Sequence, residues 1–207
     1  MPSPLECACF LEVVGTRSSV RWFKQDPIPR EALEKVLEAG VRAPTASGGE
    51  QWFFILVEDD EKRIRLHELL GKAHELYARR VLKTPLPEQS VSKWIGRIQQ
   101  GMYLAPVYVA AYIDMRRRLY SEEYSDYERL MAVQSLSAAL ENMILAAWSM
   151  GIGSVWLGVP LLMRKEFDDL LQPPPGCELQ AIIAFGYPAE EPRPRPRRSL
   201  KDVSATR

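Results

Sequence analysis

The segment LMAVQSLSAALENMILAAWSM, Leu130 to Met150, decides how the rest of the chain can be arranged. It predicts a helix over Ser125–Met150, ended by Gly151. The segment is apolar almost all round, with Ala and Ser in place of bulk, and a helix without a wide polar face must be enclosed. The enclosure is either a large core or another subunit, so this helix is the candidate dimer interface.

Working outward, SVWLGVP (Ser154–Pro160) and LQAIIAFGYP (Leu179–Pro188) read as strands separated by a short helix at Arg164–Leu171 and a turn at Pro173–Pro175. Upstream, WFFILVED (Trp52–Asp59) and PVYVAAYID (Pro106–Asp114) are continuous apolar runs, which predicts strands covered on both faces. Further helices are expected at Leu5–Val14, closed by Gly15, and within DPIPREALEKVLEAGVRAP, where Pro29 sits in the first turn and Leu33, Val36, Leu37 and Val41 are the apolar positions. Asp60–Leu82 and Val91–Gly101 read as two more, joined by a loop at Lys83–Gln89. Helices and strands alternate irregularly, which favours an α+β sheet flanked by helices over a strict doubly wound fold. At 207 residues the chain can form one generous domain or two small ones.

The balance of 27 basic against 27 acidic residues gives no general attraction to nucleic acid or an anionic membrane, so any anion site must be local. Three cysteines, Cys7, Cys9 and Cys177, show no CxxC spacing and suggest neither a disulfide framework nor a zinc site. The N-terminal run does not read as a signal peptide, no stretch of 18 apolar residues exists, and a reducing cytoplasm fits best.

The usual catalytic signatures are missing. His67 and His74 are seven apart, which is not the i, i+4 spacing of a chelating pair, and satisfied or surface histidines are the simpler reading. Gly151–Gly153 follows a helix rather than a strand, so a dinucleotide phosphate loop is not supported. TRSSVRWF, Thr16 to Phe23, is more suggestive. In an extended segment Arg17, Ser19 and Arg21 share one face while Ser18, Val20 and Trp22 share the other. Two guanidiniums and a hydroxyl suit a phosphate, although from this segment alone a solvated face, or pairing with nearby carboxylates, is the simpler reading. The small-residue loop APTASGGEQW, the turn WLGVP and the extended tail EEPRPRPRRSL, with Arg193, Arg195 and Arg197 on one side, look suited to hold the same planar, phosphorylated ligand.

Four blocks, TRSSVRWF…AGVRAPTASGGEQWFF, AALENMILAAWSMGIGSVWLG and IIAFGYPAEEPRPRPRRSL, resemble in order the FMN-dependent nitroreductase family, from about Val14 to Val203. The resemblance implies a single α+β domain over 1–207 with a C-terminal arm from about residue 190. It also implies a mixed, mainly antiparallel sheet and an intertwined homodimer with FMN at each of two interface sites. Carried over to this chain, Arg17 and Ser19, with Ser18 between them, correspond to phosphate-binding positions, and Arg21 to the basic residue near the flavin's pyrimidine edge. Pro44, Thr45 and Ala46 correspond to the partner-subunit loop over the ring. Leu157 and Gly158 correspond to the turn facing flavin N5, and Arg195 and Arg197 to the late phosphate-binding residues.

Two positions depart from the family pattern: Gly48 stands where Asn is common, and Glu50-Gln51 where Gln-Pro is common. Gly48 and Glu50 are therefore the weaker members of the expected site. The implied activity is electron transfer from NAD(P)H through FMN to a small acceptor such as a nitroaromatic or quinone, without a side chain acting as acid or base. Related possibilities are a dehalogenating, flavin-modifying or enoate-reducing flavoprotein, an FMN-binding protein without turnover, or an interaction protein using its arginine-proline tail.

Overall fold

A computed structural model describes residues 4–207, with side chains from Cys9 onward. In chain order the elements are α1 (Pro4–Thr16), α2 (Arg30–Val41), β1 (Trp52–Val57), α3 (Asp60–Leu76), α4 (Glu88–Gln99), β2 (Val107–Asp114), α5 (Ser125–Ser149), β3 (Gly153–Leu157), α6 (Arg164–Leu171) and β4 (Cys177–Gly186). The strands form one sheet in the order β1-β2-β4-β3, and every neighbouring pair is antiparallel. The α+β class is as expected. Among the described residues the parallel component reduces to a single isolated bridge, Ser19 to Ser154.

Alternation along β2 explains its unbroken apolar sequence. Tyr108, Ala110 and Tyr112 face one helical layer with Leu66, Leu70 and Ala73 of α3, Ile98 of α4 and Phe167 of α6. Val107, Val109, Ala111 and Ile113 face the other, with Leu33 and Val36 of α2 and Leu136, Leu140 and Met143 of α5. All eight β2 residues are buried. β1 differs from the expectation, because Trp52 to Leu56 are only half-buried. It is an edge strand with one neighbour, so its residues are flanked on one side only.

α5 is enclosed on one side only. Ala132, Leu136, Ala139, Leu140, Met143 and Ala147 recur at helical spacing and seal against the sheet and α2. Its length and apolarity would allow a membrane span, but this packing makes it a core helix. The opposite side leaves Asn142, Leu145 and Ala146 lining a groove of about 480 Å³ with Phe10, Val13 and Ala39.

Several boundaries moved for local reasons. α1 runs through Gly15 to Thr16, whose hydroxyl bonds back to the Glu12 carbonyl at 2.8 Å. The helix expected over Asp60–Leu82 runs to Val81, with α3 proper ending at Leu76 and its last turn, Tyr77–Val81, wound as a π-helix. α4 starts at Glu88 because Pro87, held at φ −54°, occupies its N-cap, so Glu88 and Gln89 are helical and not loop. Val41 of α2 is exposed, not part of the apolar face.

Candidate functional site

Residues 18–24 run beside the β3 edge and are stitched on both sides. The Val20 N–H donates to the Ser154 carbonyl at 2.9 Å, Lys24 N–H to Tyr187 O, and Ala189 N–H to Trp22 O. The close approach to β3 requires Gly153, since a Cβ there would lie 2.5 Å from Val20 Cγ2. The expected alternation is seen from Ser18 to Arg21, with Ser18 and Val20 buried, Ser19 exposed and Arg21 partly accessible. Trp22, by contrast, is half-buried and lines the same cavity as Ser19 and Arg21, and the Arg17 N–H still bonds helically to the Val13 carbonyl at 3.0 Å. Ser18 turns inward and its hydroxyl donates to the Thr16 carbonyl at 3.3 Å.

Arg21 is held from two directions. Its guanidinium donates to the Ser19 carbonyl at 3.1 Å, and its own carbonyl accepts from the Tyr103 N–H at 2.7 Å. Arg97 of α4 lies 5.6 Å over the Trp22 ring, a cation–π contact. Ser19, Arg21, Trp22 and Arg97 form one wall of a cavity of about 610 Å³, and Glu190 to Pro196 of the C-terminal arm form the other. A second cavity of about 460 Å³ shares Arg21, Arg97 and Arg195 and adds Lys93, Trp94 and Tyr103.

His74 backs that second cavity. It is buried, stacked on Tyr103 at 4.8 Å and edge-on to Trp94 at 5.4 Å. Its Nδ1 lies 2.8 Å from the Leu70 carbonyl, which requires an N–H there. Burial pulls the imidazole below its ordinary pKa, so it is a neutral packing group, as the sequence reading held.

Only eight of the 27 basic residues join an ion pair among the described residues, so what sets this region apart is that Arg21, Arg97, Arg193 and Arg195 line one cavity. Twelve ion pairs tie charged side chains together across the described residues, yet none includes Arg17, Arg21, Arg97, Arg193, Arg195 or Arg197. Arg17 and Arg197 flank the first cavity in sequence without lining it, whereas Ser19, Arg21 and Arg195 do line it. Arg97, Trp22, Lys93 and the pair Glu190–Glu191 were not foreseen as site residues. The signal for two of them was present, since Lys93 and Arg97 are four apart on α4 and so share a face.

The other expected residues lie elsewhere. Leu157 closes β3, paired with Ile182, and Gly158 follows it, three and four residues beyond Ser154, or roughly 10–13 Å along a strand. The Pro44–Glu50 loop sits on α5: Ala46 N–H donates to Ser135 Oγ at 3.0 Å, and Glu50 N–H to Thr45 Oγ1 at 2.9 Å. Ser47, Gly48 and Glu50 are left-handed, with φ of 51°, 65° and 47°. The cationic wall is near the far end of the same helix, where the Trp148 indole donates to Thr16 Oγ1 at 3.0 Å. Thirteen residues separate Ser135 from Trp148, about 20 Å of helix. One chain therefore does not unite the loop with the arginines.

The sequence pattern of the Nitroreductase family matches residues 14–187, and the chain belongs to that family. A protein of Archaeoglobus fulgidus, provisionally named an NADH dehydrogenase/NAD(P)H nitroreductase, is 33% identical over 183 residues, covering 87% of this chain and 86% of its own. An iodotyrosine deiodinase of Thermotoga neapolitana is 26% identical over 187 residues, covering 89% and 90%. Among solved structures, a provisionally assigned nitroreductase from Desulfovibrio desulfuricans in complex with FMN superposes with a TM-score of 0.70 at 24% identity, covering 100% of this chain and 98% of that one. The NADPH:FMN oxidoreductase of Vibrio harveyi, complexed with NAD+, gives 0.73 at 21% identity, covering 96% and 76%. These two likenesses establish the shared fold.

Proposed function

We propose that this chain is an FMN-dependent oxidoreductase that works as a homodimer, taking electrons from NAD(P)H and passing them to a small acceptor such as a nitroaromatic or quinone. The observation that carries the reading is the convergence of Arg21, Arg97, Arg193 and Arg195 on one cavity that also offers a serine hydroxyl and an indole face, with Glu190 and Glu191 the acidic residues in its lining. That donor chemistry fits a phosphorylated, flat ligand: guanidiniums and Ser19 suit the phosphate, and Trp22 offers apolar area beside them.

Arg17, Ser19, Arg195 and Arg197 would hold the phosphate, with the Ser18 backbone contributing an amide. Arg21, joined by Arg97, would lie at the pyrimidine edge, where a fixed cation favours the extra negative charge of the reduced ring. Leu157 and Gly158 would present backbone to the ring. When bound, FMN supplies hydride acceptance and electron delivery at one place, which makes alternating donor and acceptor turnover the natural kinetics. The protein's part is to bind, orient and polarise.

Pro44, Thr45, Ala46, Gly48 and Glu50 would come from a second copy. The roughly 20 Å between this loop and the arginines along α5 supports that arrangement. So does the apolar groove beside α5, with Phe10, Leu11 and Val14 exposed next to it. A dehalogenating activity is the second reading, favoured by the identity with the Thermotoga deiodinase.

The deciding experiment is a visible spectrum of the purified protein before and after anaerobic NADPH. A flavin spectrum that bleaches supports the reading. A protein that neither carries nor takes up FMN would overturn it. A parallel turnover assay with a nitroaromatic and an iodophenol ranks the two acceptor classes.

A further inference from the structure

Glu128, in the first turn of α5, is wholly buried. Its carboxylate accepts from Gln51 Nε2 at 3.0 Å, from the Leu119 backbone N–H and from Arg118 Nε. Burial alone would push its pKa up, and these donors more than reverse that, so Glu128 is held below its ordinary value as a carboxylate. Burying a charge is costly, and an apolar side chain would fasten α5 to its surroundings more cheaply. What the carboxylate adds is a junction between three separated pieces of chain: the start of β1, the segment after β2, and α5.

Each piece it grips also touches the Pro44–Glu50 loop. Gln51 follows Glu50 directly, and its amide also donates to the Arg117 carbonyl at 2.8 Å. Leu119 covers Gly49 so closely that a Cβ there would lie 2.5 Å from Leu119 Cδ1. The Tyr120 hydroxyl is 2.8 Å from Ser47 Oγ. The loop needs such support, because the non-glycine residues Ser47 and Glu50 persist in left-handed backbone only where the surroundings over-determine them.

We infer that Glu128 is a positioning residue for the active site: through Gln51, Leu119 and Tyr120 it holds the Pro44–Glu50 loop in the shape that covers the flavin bound mainly by the other copy. The inference rests on the flavin reading above. Glu128 itself touches neither cavity, so its effect reaches the ring only through the loop.

The test compares full-length, FMN-loaded wild type with Glu128→Gln and Leu119→Ala. Flavin content, the visible circular dichroism of the bound flavin and the rate of anaerobic reduction by NADPH are measured alongside thermal stability. Both variants are expected to keep FMN, to alter the visible dichroism, and to be reduced about tenfold (Glu128→Gln) and about threefold (Leu119→Ala) more slowly, since small misplacements cost up to about 100-fold. A merely structural keystone would lower the melting temperature and leave dichroism and rate unchanged; values within about twofold of wild type in both variants would overturn the proposal. If Glu128→Gln does not fold, Leu119→Ala decides alone, because it leaves the buried charge intact. Wild type without FMN would overturn the flavin reading and this inference together, whereas FMN present with unchanged variants counts against the inference only.

Discussion

Two charged regions of this molecule behave in opposite ways. Around the segment after β2, charges find partners within the chain: Asp114 takes both Arg116 Nε at 2.7 Å and Arg116 Nη2 at 2.6 Å, and buried Glu128 takes Arg118 and two further donors. Around the first cavity, Arg21, Arg97 and Arg195 converge with no ion-pair carboxylate among the described residues. A cluster whose charges are satisfied internally shapes the chain. A cluster held by backbone bonds and aromatic contacts, with its guanidiniums outside any ion pair although Glu190 and Glu191 line the same cavity, offers the donors that the proposed anion site needs.

The comparison breaks first at the arginines. Replacing Arg17 and Arg197 together by Ala should remove two charge-assisted contacts of about 1.5–3 kcal/mol each. FMN should then be bound at least 100-fold more weakly, read by flavin-to-protein absorbance and titration, with the melting temperature of the flavin-free protein unchanged. Stoichiometric FMN in that variant would remove the phosphate role from both residues.

The paired region should respond through stability instead. Glu128→Leu leaves the Leu119 N–H without its acceptor, Arg118 without its buried partner and Gln51 with the Arg117 carbonyl alone, and breaking a buried charged network of this kind costs about 3 kcal/mol or more. Denaturant unfolding measures it. The charge also predicts a direction with pH: because the folded pKa is depressed, the stability is fully present above the ordinary carboxylate range and is lost as pH falls through the folded value.

His74 sharpens the comparison with a smaller effect in a different window. Its folded pKa lies below the unfolded value near 6.5, so the unfolded chain takes up a proton first as pH falls. Stability should be complete above about pH 6.5 and decline below it by at most about 1.4 kcal/mol per pH unit. His74→Phe, which preserves the stacking on Tyr103, should flatten that slope in melting temperatures taken from pH 7 to pH 5. An unchanged slope would assign it to other groups.

The smallest effect is expected from the exposed helix pair Arg30–Glu34, whose side chains are 65% and 55% accessible. Its removal should change stability by no more than about 0.5 kcal/mol. A larger loss would mean that pairing alone does not separate the structural charges from the functional ones.

Much of this was legible in the chain itself, because the information was local. β2 reads as a strand buried on both faces from Val107–Ile113 alone, since a run of apolar side chains at every position has no face to offer water. The shared face of Ser19 and Arg21 follows from the two-residue period, and α2 from Pro29 and the spacing of Leu33 and Val36. Arg97 was not legible as a site residue, because a guanidinium on an amphipathic helix looks solvated until Trp22 is found beneath it. β1 as an edge strand was equally invisible, since strand order depends on pairings between residues far apart in sequence.

By itself the sequence determined the element types, the α+β class, family membership and the cationic face, all of which depend on side-chain period and short-range chemistry. Only the tertiary structure decided the longer-range pairings Arg30–Glu58 and Arg129–Glu178 and which cations converge on one cavity, because both depend on distances between remote residues. It alone decided that the Pro44–Glu50 loop and the arginines lie at separate stations along α5, since the length of a helix turns positions in sequence into separation in space.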